Sequence, residues 1–94
     1  MSQRAVQRRL VEVHQRLVKA REELAIVEEQ FIVFNDTVDD ARVRALVAES
    51  PVAKHDWNEA RRHADAMERG REAARTRVAE LERSQDDLLA QLVF

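Results

Sequence analysis

The sequence predicts an all-α protein, a long antiparallel helical hairpin in which two helices form a coiled coil. Three observations lead there. The 94 residues are 36% charged and include one Gly, one Pro and no Tyr. That composition belongs to long helices, because a sheet protein needs Gly, Pro and Asn for its turns. A heptad of apolar residues holds without a skip from Val6 to Ala48. Folding the chain back near residue 50 sets blocks of opposite charge against each other.

Helix 1 is expected over about residues 3–48. One row of its seam reads Leu10, Leu17, Leu24, Phe31, Val38, Ala45, and the other reads Val6, Val13, Ala20, Val27, Phe34, Ala41, Ala48. Alternating three- and four-residue steps place both rows on one side, which is the signature of a coiled-coil seam. Asn35-Asp36-Thr37 has loop character, but the seam passes through it, so one helix is read with a kink there left open.

The turn is expected at about residues 49–51, where the chain reads "AESPVAKHDW". The residue before a proline disfavours helix. Ser50 suits a helix cap, and Pro51 suits a first turn, where a missing N–H costs nothing. Asp56 with Glu59 is a competing start.

Helix 2 is expected over about residues 51–92. Its seam reads Trp57, Ala60, Ala64, Met67, Arg71, Ala74, Val78, Leu81, Gln85, Leu88, Leu92. Two polar members and many small ones make it the weaker helix. Gly70 costs about 1 kcal/mol relative to Ala inside a helix. Opposite Phe31 and Phe34, it is expected to let a ring approach the backbone. The whole chain, residues 1–94, reads as one domain.

Charge selects the alignment. Residues 1–21 hold six basic groups and one acid, and residues 79–94 hold four acids and one Arg. Residues 22–40 hold seven acids and no base, and residues 61–79 hold six Arg against three acids. Asp39 and Asp40 are thus expected to pair with Arg61 and Arg62. An antiparallel dimer of helix 1 would also set plus against minus.

In "EEQFIVFND", residues 28–36, Phe31 and Phe34 belong to the seam while Ile32 and Val33 point away. Val11, Val18, Ala25, Ile26, Leu46 and Val47 share that far side, which Glu12, Lys19, Asp39 and Asp40 interrupt. A helix apolar on two opposite sides is normally covered on both, and helix 2 covers only one. The expected interface is therefore Val11, Val18, Ile26, Ile32, Val33, Leu46 and Val47, with Trp57 as an anchor near the turn. A second copy, giving a four-helix dimer, is the simplest cover, and an unidentified protein partner is the other.

Other chemistry finds little footing. No cysteine is present, so thiolate metal sites and disulfides are excluded. His55, Glu59 and His63 share a helix face with i, i+4, i+8 spacing, but a metal wants three or four converging ligands. Asp36, Asp39 and Asp40 read as ion-paired rather than as a Mg²⁺ site. There is no Gly-rich phosphate loop and no nucleophile–base arrangement, so no catalytic residue, cofactor or small-molecule substrate is expected. Arg4, Arg8 and Arg9 cluster, but without interleaved aromatics, and a net charge of −2 argues against nucleic acid. With neither a secretory core nor a membrane-length apolar run, the expected setting is the cytoplasm.

"DDARVRALVAESP" followed by "RRHADAMER" resembles small helical coiled-coil proteins of unknown function from actinobacteria. The resemblance covers most of the chain and implies no functional residues. Some small proteins of that lineage act on chromosome-partition ATPases or the cell-pole apparatus, which implies a partner in that machinery. The function expected is a non-enzymatic scaffold or regulator that self-associates. The alternative is a hairpin whose tip, residues 49–57, inserts into a larger machine such as RNA polymerase or the ribosome.

Overall fold

The computed structural model describes residues 2–93 and contains two helices, α1 (Gln3–Ala48) and α2 (Pro51–Ala90), joined at Glu49 and Ser50. Among the described residues there is no strand. The helices pair within two compact units. Of the described residues, the first combines 2–25 with 73–93, and the second is the hairpin of residues 26–72.

In the first unit the seam is well filled. Val6, Val13 and Leu88 form one buried cluster with Leu10, Leu81 and Leu92 against it. Leu17, Ala20 and Val78 form another, flanked by Leu24 and Leu81. Leu17 and Val6 are fully enclosed, with no accessible surface. Large aliphatics on both helices make this possible, since each contributes about 1.5–3 kcal/mol when buried. At the edge, Arg21 reaches Glu82 at 3.4 Å, and Gln85 lies 3.4 Å from His14 Nδ1.

The ends of this unit are tied together by one side chain. Ser2 Oγ accepts from the Ala5 N–H and so caps α1. Gln3 then donates from Nε2 to the Gln91 carbonyl and accepts from the Val93 N–H at Oε1, both at 2.9 Å. These bonds satisfy backbone groups that a helix terminus leaves open. Gln91 and Leu92 donate to Leu88 and Leu89, a tightened last turn that closes α2 two residues before the expected end.

The second unit packs smaller residues. Only Ala41 and Ala64 are buried there, with Val27, Phe31, Phe34, Val38, Ala45, Trp57, Ala60 and Met67 half-buried. Asn35, Asp36 and Thr37 lie within α1, and Thr37 Oγ1 donates back to the Val33 carbonyl rather than opening a loop. The turn is built by Ser50, whose Oγ accepts from Ala53 N–H at 3.1 Å, with Pro51 as the first helical residue. Asp56 lies inside α2 and starts nothing. Glu49 donates its N–H to Ala45 and takes a left-handed φ of 50°.

Two expectations fail in this unit. A Cβ built on Gly70 meets nothing within 4 Å, so the glycine serves no close approach of a ring. Arg61 and Arg62 do not pair with Asp39 and Asp40. Arg61 donates to Asn58 at 2.6 Å and Arg62 to Glu59 at 2.8 Å, each one turn back on its own helix. The i,i+3 spacing supplies partners locally, at a lower ordering cost than reaching across a hairpin.

The chain's single glycine thus sits in open space in mid-helix, while a glutamate occupies the left-handed position that glycine favours. Gly70→Ala is expected to stabilise the protein by about 1 kcal/mol, and Glu49→Gly by roughly 0.5–1 kcal/mol. Chemical denaturation of the two variants checks both.

Candidate functional site

The far face of α1 is built by the same heptad that builds its seam. With about 100° between successive residues, Ile32 and Val33 leave the helix away from Phe31 and Phe34. Phe31 and Phe34 are half-buried, whereas Ile32 and Val33 are 61% and 62% exposed. Ile26, Leu46 and Val47 are likewise exposed in the second unit, and Val11 and Val18 in the first. Trp57 alone of the expected interface residues is half-buried.

The face is not uniformly apolar. Gln15, Glu22, Glu29 and Asp36 form a heptad row between the two apolar ones, and all four are exposed. Val43 continues that row and is an exposed aliphatic that the sequence reading missed. Its heptad spacing from Asp36 was the available signal. Val52, Leu89 and Val93 are also exposed, but they lie at or near helix ends and continue no stripe.

Both phenylalanines meet polar side chains of α2. Arg71 lays its guanidinium over the Phe31 ring, with Cζ 4.0 Å from the centroid. It also pairs with Glu68 at 3.0 Å. Its side chain is only 22% exposed, and its Nε is buried without an acceptor. An arginine inside the seam is therefore held by its flat face, a cation–π contact, more than by its donors. Phe34 meets His63 edge-on, with ring centroids 6.2 Å apart and planes at 68°. The His55–Glu59–His63 row is thereby divided, since His63 turns to an aromatic and Glu59 to Arg62. Among the described residues no three His, Asp or Glu side chains converge as a metal site would require.

Near the turn, a cleft of about 570 Å³ lies between Leu46, Glu49, Pro51, Lys54 and Trp57. Two of the expected interface residues, Leu46 and Trp57, meet there. Trp57 carries Arg61 over its ring at 4.8 Å, and its Nε1–H is buried with no acceptor in the chain. An unpaired buried donor of this kind costs about 1–3 kcal/mol. The cleft's polar groups are Glu49, Ser50 and Lys54, and Ser50 Oγ already serves as the cap of α2. No helix among the described residues is long and apolar enough to cross a membrane.

Compared with protein-family models, curated proteins and solved structures, the chain matches none.

The stacking of Arg71 on Phe31 is measurable. A double-mutant cycle with Arg71→Met and Phe31→Leu is expected to give a coupling of about 1 kcal/mol. Arg71→Met alone is expected to be close to neutral, because it removes a buried unpaired donor along with the stack.

Proposed function

We propose that this chain is a non-enzymatic protein–protein interaction module. In this reading it associates with a second copy of itself through the far face of α1, giving a four-helix assembly. That assembly scaffolds or regulates a further protein partner in the cytoplasm. One observation supports the reading most: Ile32 and Val33 stand 61% and 62% exposed between two half-buried phenylalanines. Covering each would contribute about 1.5–3 kcal/mol. Five further aliphatics recur at heptad-related spacing on the same face, whereas scattered surface aliphatics carry no such period. The resemblance of residues 39–51 and 61–69 suggests chromosome-partition or cell-pole machinery as the partner's setting.

A second reading draws support from the cleft beside the turn. There a half-buried Trp57 with an unpaired N–H could anchor the tip in a larger machine such as RNA polymerase or the ribosome. Co-sedimentation with purified ribosomes, or with core RNA polymerase, tests it. Binding that Trp57→Ala removes would favour this reading, and no binding to either would remove it.

For self-association, Ile32→Glu with Val33→Glu is the decisive variant. Glu is a good helix former, so α1 should keep its helical signal. Two carboxylates placed against a partner's apolar rows cost several kcal/mol unless paired. Sedimentation equilibrium should give a dimer or larger species for the native chain and a monomer for the variant. Phe31→Glu with Phe34→Glu should instead unfold the second unit. A monomeric native chain would refute the reading.

A further inference from the structure

Four charged residues beside the exposed aliphatics of α1 stand as mirror images of opposite sign along the helix. In the first unit, Arg4, Arg8, Val11 and Val18 follow at steps of four, three and seven. In the second, read backwards, Asp40, Asp36, Val33 and Ile26 follow at the same steps. All eight residues are exposed. Among the described residues, no ion pair joins Arg4, Arg8, Asp36 or Asp40 to any other group of the chain. The acids expected to be neutralised by Arg61 and Arg62 are thus left open, because those arginines turn to Asn58 and Glu59.

We propose that two copies associate through antiparallel α1 helices in one register, with position numbers that face each other summing to 44. This rests on the self-association proposed above and specifies its geometry. In that register Arg4 faces Asp40, Arg8 faces Asp36, Val11 faces Val33 and Val18 faces Ile26, and two-fold symmetry makes each pair occur twice. Ala25 faces Lys19 and Ile32 faces Glu12, so the long apolar part of each polar side chain lies along an aliphatic while its charge reaches water. Glu22 meets its own copy at the axis, the one like-charge contact in the set. Leu46 and Val47 lie beyond the overlap in this register; sliding by two heptads sets Val11 against Val47 but also Glu22 against Asp36 and Glu29 against its own copy. The registers one heptad away are worse as well. Sliding by one heptad sets Val18 against Lys19 in one direction and Val11 against Asp40 in the other. The second copy is the occupant favoured here because the chain itself carries the complement: basic then apolar in one stretch, acidic then apolar in the other.

The native chain contains no cysteine, which makes the register directly testable. Val18→Cys with Ile26→Cys places two thiols eight residues apart on one helix, about 12 Å, too far for a disulfide within the chain. Oxidation at a concentration where the native chain is dimeric should yield a covalent dimer. The control Val18→Cys with Val33→Cys, set for a slide of one heptad, should stay unlinked. Charge gives an independent readout. Arg4→Glu with Arg8→Glu should raise the dissociation constant at least roughly tenfold, and so should Asp36→Arg with Asp40→Arg. Mixing those two variants should recover the association, because every facing pair is then again opposite in sign. The proposal is overturned if the native chain dimerises but the control cross-links better. It is also overturned if the charge variants associate as well as the native chain. A native chain that is monomeric throughout would instead refute the underlying self-association.

Discussion

A pair of helices has one buried seam, and every other feature of this protein follows from that limit. Each helix can hide a single stripe about two residues wide per heptad. In the first unit both stripes are aliphatic, and Val6 and Leu17 become fully enclosed. In the second the stripe of α2 runs through alanine, methionine and arginine, and only Ala41 and Ala64, one on each helix, are buried. Whatever α1 carries on its other side has no element of its own chain to cover it. The aliphatics there are exposed because the architecture has no second layer, not because packing failed.

The same limit explains how polar residues enter the seam. Arg71 occupies a position where a bundle would hold leucine. It succeeds because guanidinium is planar and weakly hydrated, and so covers the Phe31 ring much as an apolar group would. His63 does a similar service for Phe34 from the exposed edge. Each side chain keeps part of itself near water, which a thicker core would not allow. These contacts favour one alignment of the second unit over sliding, because an aromatic ring and a flat cation must meet at one height. The hydrogen bonds of Arg61, Arg62 and Arg71 add little to this, since they run to partners one turn away on their own helix.

The seam was legible in the sequence nearly to the residue. Of its 13 positions on α1, only Ala48 is exposed, and the 11 read onto the second helix are all at least half-buried, Leu92 lying just past the end of α2. The cap at Ser50 and the first-turn Pro51 were legible as well, because local backbone chemistry fixes them. The partners of individual side chains were not. Block charges predict which segments attract, but an arginine chooses among acceptors within a few ångströms, and a neighbour one turn away is always available. Gly70 misled for a related reason. A glycine opposite two phenylalanines suggests a close approach, yet its position on the heptad, one residue before the seam arginine, already turned it outward. The aliphatics read onto the far face are exposed, and the reading overlooked the polar row between them.

That polar row bears on what kind of association the face can support. A continuous apolar stripe on a two-helix protein would drive indiscriminate aggregation, because any register and any orientation would bury comparable area. Placing Glu22, Glu29 and Asp36 between the aliphatics removes most of those solutions, since each must then avoid setting acid on acid. It also lowers the affinity, because every carboxylate that approaches a partner loses hydration. For the association proposed above, such a surface suits a contact that forms in one arrangement and comes apart better than a permanent core. In the proposed dimer part of the selectivity would be carried by exposed charges, so screening by salt would act on the register before it acted on the apolar contacts.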